Sequence, residues 1–462
     1  MRLARIRSGA TLVAALLCAG TTAHATDPAP KKDEAPPAKR QKPNYDGRGG
    51  APRSPGQKSL WVPRVLLFPA YVVSEYVVRR PLGALITHAE KSGWPAAVSD
   101  FLALDQVHPV GIVPFMLIDF GFEPSAGLYA YWDDAGFKGH QLRFRGSTWG
   151  PSWLSGTLTE RFLLGPQEIT LTATATRRPD YAFYGIGPDT RESALTRYQA
   201  DTVYARAESK LVFGGRHVLE GAFGYRGARF GHSDYDADDR GKPDYQPSVD
   251  EAVALMQLPE PPGFRDGYRA PYGAARLVLD SRGRTRTKSG VRVELSGEES
   301  VDLANSPTSG WVRYGGTVLG FVDLSDGGRT LSLALSTTLV DPLGDRPVPF
   351  TQLAAPGGGR SMPGLRSGRL YGRSAVVAML RYSWPIWLAL KGSLQAGLGN
   401  VFGPHFEGIR PGRVRVSTAI GLETNGSRDS VFQALVGFGT ETVESGAALD
   451  TIRVALGVRS AF

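Results

Sequence analysis

The sequence of 462 residues contains one cysteine, Cys18, and no apolar run long enough to cross a bilayer as a helix. Cys18 lies near the N-terminus, where three arginines precede a short apolar stretch over 10–19 and an A-x-A motif at 23–25. This order of features is typical of a secretory signal with its cleavage site. We therefore predict a signal peptide over 1–25 and a mature chain without disulfide bonds.

Signatures of common enzyme and metal sites are also missing. The seven histidines have no zinc-ligand spacing, and neither a G-x-S-x-G motif nor a phosphate-binding P-loop occurs. We predict no catalytic residue, no metal ligand and no cofactor. The arginines are scattered through alternating segments and do not cluster with aromatics. The net charge of +9 therefore does not indicate nucleic-acid binding.

One acidic stretch, 232–251, carries aspartate at 234, 236, 238 and 239. An EF-hand would need glycine in place of Asp239 and glutamate in place of Tyr245, so this motif is excluded. We interpret the stretch as a solvated extracellular loop. Incidental calcium binding or bridging to surface lipid is the alternative.

Two segments precede the main body of the chain. Residues 26–59 are rich in proline, glycine and charge, which is typical of a disordered linker. Residues 60–110 include an apolar pattern at helical spacing over 69–91, interrupted by charged residues. We predict a periplasmic helical segment that packs on the rest of the protein. The alternative is a helix that lies on the membrane or occludes a pore.

From residue 111 onwards, apolar residues recur at every second position. Leu171, Ala173 and Ala175 alternate with threonines, and Leu142 and Phe144 alternate with arginines. Strands with one apolar and one polar face are typical of two architectures. One is a soluble sandwich, whose apolar face is its core, and the other is an outer-membrane barrel, whose apolar face meets lipid.

The connections favour the barrel. Short turns are predicted at 214–216 and 326–328 and long connections at 231–267 and 341–372, and the two kinds alternate along the chain. Such alternation is typical of periplasmic turns and cell-surface loops. Sixteen candidate strands can be marked, an even number that lets the barrel close with both termini in the periplasm. We predict an all-β fold, a 16-stranded antiparallel transmembrane β-barrel, over 111–462.

Three segments resemble the BamA/TamA-type outer-membrane assembly superfamily, the bacterial surface antigen barrels. They are YAFYGIGPDT (181–190), LVLDSR (277–282) and, most specifically, 362–402. The resemblance implies an integral protein of the Gram-negative outer membrane. It also implies that the loop between the eleventh and twelfth strands carries a V/L-R-G-F/Y motif and folds back into the lumen. The residues of this motif in the sequence are Leu365, Arg366 and Gly368.

The last strand is similar to the C-terminal signal that insertion machinery reads in outer-membrane barrels. Its apolar positions lie on one face of the strand, while Arg453 and Arg459 lie on the other. The residues of this signal are Val454, Leu456, Val458 and Phe462.

The sequence departs from the family pattern in three places. Ser367 follows Arg366 where the family has glycine, and Gly397 stands where the family often supplies an aspartate as the partner of that arginine. We therefore expect Arg366 to pair inside the lumen with another carboxylate, such as Glu294 or Glu423, or with backbone carbonyls. We also expect a member without POTRA domains, because only a linker and a helical segment precede the barrel.

The resemblance implies a role in the assembly or translocation of other proteins, through a weak seam between the first and last strands. A passive channel gated by the in-folded loop and the N-terminal helix is the alternative. An outer-membrane lipase is a third hypothesis, for which no Ser/His pair is found. Expected partners are outer-membrane lipid and lipopolysaccharide, the barrel-assembly machinery that would insert this protein, and client or periplasmic partner proteins. No nucleic acid is expected.

Overall fold

The structure, a computed structural model, describes residues 109–460 with nine short gaps. The gaps are 236–237, 239–240, 243–244, 283–288, 305–308, 326–327, 359–360, 388–389 and 425–429. The predicted signal peptide, linker and helix 69–91 lie outside the described residues, and so does Phe462.

Sixteen β-strands and one short α-helix are present in the described part of the chain. The strands are β1 (Val110–Asp119), β2 (Ser125–Asp133), β3 (His140–Thr148), β4 (Leu154–Leu164), β5 (Gln167–Phe183), β6 (Thr196–Phe213), β7 (His217–Gly231), β8 (Tyr268–Asp280), β9 (Gly290–Val301), β10 (Gly310–Ser325), β11 (Arg329–Leu343), β12 (Ser374–Trp387), β13 (Leu390–Phe402), β14 (Arg415–Thr424), β15 (Ser430–Thr442) and β16 (Leu449–Ser460). The helix is α1 (Val249–Ala254). The barrel thus begins one residue before the predicted boundary at 111, which is within the usual spread of strand assignments.

The strands form one closed antiparallel barrel in which each strand pairs with its neighbours in sequence and β1 pairs with β16. Closure gives every strand two neighbours, so no free sheet edge runs the length of the wall. The prediction of sixteen antiparallel strands in a closed barrel is confirmed.

The connections at the two ends of the barrel differ in length. The short connections 214–216 and 326–328 follow even-numbered strands, and we call their side the turn end. The long connections 232–267 and 344–373 follow odd-numbered strands and lie at the opposite side, the loop end. Because the strands are antiparallel and consecutive, all connections of one parity share an end. The predicted grouping of long and short connections is therefore correct.

The helix α1 lies within the connection between β7 and β8. Ser248 and Glu251 form a capping box at its first turn, which satisfies backbone N–H groups that would otherwise lack a partner. In the described portion of the chain, no helix combines the length and the apolar content needed to cross a membrane.

Apolar side chains point outwards from the wall and polar ones point inwards. In β3, Phe144 is 49% exposed whereas its neighbour Arg143 is 4% exposed, and in β16 Ile452 is 53% exposed whereas Arg453 is 3% exposed. A soluble sandwich would bury its apolar face as the core. Here the apolar side chains are the exposed ones and the polar side chains are buried, so the sandwich alternative is wrong. The outward-facing apolar side chains form an apolar belt.

A second apolar cluster fills the lumen near the loop end. Phe183 ends β5, Trp311 is the second residue of β10, and both are almost fully buried in this cluster. Phe350, from the connection between β11 and β12, packs edge-on against Phe183 and Tyr198 with ring centroids 5.2 Å apart in each case. The core of this protein is therefore a plug of aromatic and aliphatic side chains inside the wall.

The outward face can be tested with two adjacent arginine substitutions in β9. Leu295 is 52% exposed on the outward face, and Ser296 beside it points into the polar lumen. If the belt meets lipid, Leu295→Arg costs about 2–4 kcal/mol near the bilayer midplane. We expect Leu295→Arg to reduce the heat-modifiable folded band on gels and Ser296→Arg to retain it. Equal folded fractions of both variants would contradict a lipid-facing belt.

Candidate functional site

The connection between β11 and β12, residues 344–373, runs through the lumen, and we call it the inner loop. Gly364 donates its backbone N–H to the Ser417 hydroxyl on β14 at 2.9 Å. On the other side, Gln352 accepts a hydrogen bond from Arg226 on β7 at 2.8 Å and donates one to the Tyr268 hydroxyl on β8. Because these partners come from widely separated strands, the inner loop spans the barrel from wall to wall.

Apolar residues hold the inner loop inside the barrel. Phe350, Met362, Leu365 and Leu370 are each 0% exposed and belong to the lumenal cluster. Burying a side chain of this size contributes about 1.5–3 kcal/mol. Four such side chains explain why a connection of this length folds inwards instead of extending into solvent.

Gly368 permits the closest approach of the inner loop to the wall. Its φ of +83° lies in the left-handed region, and a Cβ built there would lie 2.0 Å from the backbone oxygen of Ala182 on β5. Only glycine combines this conformation with the absence of a side chain. Of the three predicted motif residues, Leu365 is thus a core residue and Gly368 a contact between loop and wall.

Arg369 is the most completely buried cation of the inner loop. Its guanidinium is 0% exposed and donates to Asp450 on β16 at 2.9 Å and to the hydroxyl and carbonyl of Thr190 at 2.7 and 2.9 Å. It also lies 4.8 Å from the ring centre of Tyr184. These contacts tie the inner loop to β16 and to the connection between β5 and β6.

A second buried arginine completes this charge cluster. Arg415 on β14 is also 0% exposed and donates to Glu441 on β15 at 2.7 Å, to Asp450 at 3.4 Å and to the carbonyl of Thr190. Two cations therefore share two carboxylates in the lumen, and Asp450 is itself 0% exposed. Removing either arginine would leave a buried carboxylate with incomplete compensation, which is costly in a low-dielectric interior.

Arg366 lies inside the barrel but is less buried than Arg369. It donates to Glu192 at 3.1 Å and to the Tyr184 hydroxyl at 3.5 Å, and 20% of its side chain is exposed. Neither acidic partner expected from the sequence contacts it. Glu294 pairs with Arg276 and Arg292, and Glu423 pairs with Arg381, so both named acids are wrong, although the partner is a carboxylate as expected. The reason is that both acids are already held by other lumenal arginines, on β8, β9 and β12.

Sequence reasoning missed Arg369 and its acidic partners. The resemblance directed attention to β13, where Gly397 faces inwards against Met379 and supplies no carboxylate. Here the acids come from β15, β16 and the connection between β5 and β6. The order Arg369-Leu370-Tyr371-Gly372, an arginine followed closely by an aromatic and a glycine, is the signal that could have identified it.

The electrostatic environment of Glu192 is unusual. Burial raises the pKa of Glu192 to about 7 from an ordinary value of 4.5, and the negative charge of Asp450 acts in the same direction. The cations Arg366 and Arg369 oppose this effect without cancelling it. The contact between Glu192 and the inner loop therefore titrates near neutral pH.

The β1–β16 closure, which we call the seam, also contacts the inner loop. Arg453 on β16 is 3% exposed, forms an ion pair with Asp119 on β1 at 2.7 Å and donates to the carbonyl of Pro363 at 3.2 Å. One guanidinium therefore joins both seam strands and the inner loop. A shift of the inner loop would remove one of the bonds that hold the seam residue in place.

The C-terminal strand has the geometry of an outward apolar face. Leu456 lies opposite Ile118 across the seam and Val454 accepts a hydrogen bond from the N–H of Phe120 at 2.9 Å. Val458 continues the strand, paired with Phe432 of β15, while its side chain and those of Arg459 and Phe462 lie outside the described part. The role of these residues as an insertion signal stays a prediction.

No potential metal site is found in the part of the chain that the structure describes, where no three His, Cys, Asp or Glu side chains converge. In the acidic stretch, Asp250 pairs with His232 at 3.0 Å and Asp234 remains largely exposed. Several residues of this stretch lie outside the described set, so its role as a solvated loop stays a prediction.

Comparison with known proteins supplies a likeness in structure only. No protein-family model and no curated protein sequence matches the chain. Among solved structures, BamA from Haemophilus ducreyi lacking POTRA domains 1–3 is similar with a TM-score of 0.50 and 15% identity, over 76% of this chain and 70% of that one. CdiB from Escherichia coli is similar with a TM-score of 0.50 and 11% identity, over 76% of this chain and 63% of that one.

The barrel has the BamA/TamA-type fold. At these identities the likeness concerns architecture, and the chain spans less than two thirds of CdiB. The BamA/TamA-type barrel described here has its loop between the eleventh and twelfth strands inside the lumen and a buried arginine on that loop. Its acidic partners are contributed by different strands from the one that the family resemblance indicated.

The relative importance of the two loop arginines can be measured directly. Arg369→Met leaves Asp450 with only its longer contact to Arg415, and we expect it to lower the free energy of unfolding by about 3–5 kcal/mol. Arg366→Met breaks the partly exposed ion pair with Glu192 and should lower the free energy of unfolding by about 1 kcal/mol. Urea unfolding of the two purified barrels in the same detergent compares them. A larger decrease in the free energy of unfolding for Arg366→Met than for Arg369→Met would show that Arg366 is the more important residue for stability.

The raised pKa of Glu192 predicts a pH dependence of stability. The folded state binds this proton more tightly than the unfolded state does, so the stabilisation is complete below about pH 4.5 and is lost as the pH rises through about 7. We expect the unfolding temperature of the wild-type barrel to fall across this window and that of Glu192→Gln to fall less. Parallel pH profiles for the two proteins would contradict the assignment.

Proposed function

We propose that the protein is an integral barrel of the Gram-negative outer membrane that assists the insertion or translocation of other proteins through its seam. The loop end would face the cell surface and the turn end the periplasm. The observation that carries the proposal is the short pairing between β1 and β16.

The register of the seam is brief compared with that of the neighbouring ladder. Among described residues, β1 pairs with β16 over Leu117–Asp119, opposite Ala455–Gly457, whereas β15 pairs with β16 from Ser430 to Thr440. The rest of β1, from Val110 to Met116, pairs with β2 on its other side. Fewer backbone hydrogen bonds therefore need to break to separate β1 from β16 than to separate β15 from β16.

An opened seam would offer two strand edges with unpaired N–H and C=O groups. Such edges are templates for the addition of another strand, and this pairing is specific to backbone geometry rather than to the sequence of the added chain. A client strand could therefore pair with β1 or β16 without any chemical step. This mechanism needs no cofactor and no catalytic residue.

The inner loop would control the seam. Arg453 links Asp119 across the seam to Pro363 of the loop, and Arg369 links the loop to Asp450 on β16. With both contacts formed, β16 is held on its lumenal side. Movement of the loop would release these contacts together and lower the barrier to opening.

The partners of this function follow from the architecture. Lipid and lipopolysaccharide would surround the apolar belt, and barrel-assembly machinery would insert the protein by reading the C-terminal residues Val454, Leu456, Val458 and Phe462. Clients would be other outer-membrane or exported proteins. A periplasmic partner would deliver these clients.

Two disulfides that share one residue test the seam mechanism. Ile118→Cys/Leu456→Cys joins residues that are directly opposite across the seam, and Ala434→Cys/Leu456→Cys joins β15 to β16 as the matched control. The readout is the folding rate of an unfolded eight-stranded outer-membrane barrel added to proteoliposomes. We expect the oxidised seam variant to lose the acceleration, a reductant to restore it, and the control to keep it. Full acceleration with a closed seam disulfide would refute the mechanism.

A passive channel remains the second candidate, favoured by a cavity in the lumen at the turn end. This cavity has a volume of about 700 Å³. Its acidic lining residues, Asp280 and Glu423, pair with Arg282 and Arg381, and its other cationic lining residues are Arg216, Arg292 and Lys391. Such a lining would favour anions. Anion-selective single-channel conductance that is unchanged by the seam disulfide would favour this function over assembly.

A further inference from the structure

A groove of about 800 Å³ lies in the outer wall formed by β4–β8, towards the loop end. Its floor is a row of small or apolar residues in register across the strands, namely Gly156, Ala175, Val203 and Gly227. At Gly156 an added Cβ would meet no atom within 4 Å, so the wall is open there. The small side chains create the depression, and we call it the outer groove.

Arginines border the outer groove on its loop-end side. The row next to the floor, towards the loop end, contains Arg177, Asp201 and Arg229 in register. Arg269 pairs with Gly227 and extends the floor row onto β8. Arg229 lies two residues before the end of β7, and Arg269 is the second residue of β8. The cations are therefore at the rim of the barrel rather than in the middle of its apolar belt.

Two of these arginines have no carboxylate of their own. Arg177 is paired with Asp201 at 2.7 Å, and the other acid of the groove, Asp266, lies 3.8 Å from Arg346. Arg229 and Arg269 are both exposed, and neither forms an ion pair within 4 Å with any residue that the structure describes. With three arginines against Asp201 and Asp266, the lining of the groove carries a net positive charge.

Towards the turn end, the groove continues into apolar surface. Leu158 is 48% exposed, Tyr225 is 36% exposed and Phe223 is 79% exposed on the same outward face. A ligand that fits both parts must have an anionic head and an apolar tail. A guanidinium pair binds phosphate oxygens through bidentate, charge-assisted hydrogen bonds, which a zwitterionic head with a single shielded phosphate satisfies less well.

We propose that the outer groove binds an outer-leaflet lipid with a phosphorylated headgroup, with its phosphate on Arg229 and Arg269 and an acyl chain along the floor. This rests on the proposed membrane placement, in which the loop end is at the cell surface. The rim arginines then lie at the headgroup level of that leaflet, where outward-facing charge is tolerated on a barrel. The bound lipid would fix one sector of the wall, on strands that do not form the seam.

Native mass spectrometry of the full chain in a neutral detergent tests the proposal. The probes are bis-phosphorylated lipid A, the same lipid with both phosphates removed, and inorganic phosphate. The double variant Arg229→Gln/Arg269→Gln is compared with Arg265→Gln/Arg410→Gln. The control removes the same charge from exposed arginines at the loop end that do not line the groove.

We expect the groove variant to bind lipid A at least about tenfold more weakly than wild type, and the control to bind as wild type does. Removing the phosphates should weaken binding to wild type by a similar factor. The proposal is overturned if the groove variant binds normally, if the phosphate-free lipid binds equally well, or if inorganic phosphate binds as tightly as lipid A. It is also overturned if a lipid-free dimer forms that depends on Arg229 and Arg269.

Retained folding of the variants is checked by heat-modifiable migration, and both pairs of substitutions are on exposed surface. The assay measures binding in detergent and does not require client assembly. Failure of the seam mechanism would leave its result unchanged, and failure of lipid binding would leave the seam experiment unchanged.

Discussion

The backbone ladder that closes between β1 and β16 is the constraint on which the rest of the molecule depends. Closure through sixteen strands gives every strand a partner on each side, but it encloses a lumen too wide for wall side chains to fill. The inner loop fills the loop-end half with Phe350, Met362, Leu365 and Leu370. The wall therefore depends on the plug, because a ring of sixteen strands needs an internal core.

The polar lining of the lumen explains how the loop is held. A strand that is apolar outside must be polar inside, so a loop entering the lumen meets charged groups on every side. A cluster of ion pairs in the lumen joins the loop to the wall through Arg369, Arg415, Glu441 and Asp450. At the edge of this cluster, Arg366 forms an ion pair with Glu192. Such a network specifies one position for the loop, because each charge left alone would be costly.

The seam and the outer groove divide the wall into two regions with different properties. Around β1 and β16 the ladder is short and is reinforced by one arginine that also contacts the inner loop. Around β4–β8 the ladders are long, and an arginine-bordered groove faces outwards. A barrel that must open at one place needs the remainder of its wall to stay closed, and long registers together with a bound lipid would both contribute to that.

Much of the architecture could be predicted because period-two alternation is a local property of the chain. The strand count and the antiparallel order followed from alternation and from connection lengths, and the resemblance implied that the loop between the eleventh and twelfth strands folds into the lumen. The position of Arg366 in the lumen was also expected. Its partner was not, since Glu294 and Glu423 lie on the correct face but are already engaged by Arg276 and Arg381.

The sequence by itself determined which face of each strand is apolar, where the chain turns and that the wall must close. Only the tertiary structure decided which charges meet. Thr190 is 179 residues from Arg369 in sequence and Asp450 is 81 residues from it, and their convergence on Arg369 depends on the path of the inner loop across the lumen. Pairing across a lumen has no sequence period, so alternation cannot reveal it. The partners of the buried arginine therefore became identifiable only when the strands around it were in place.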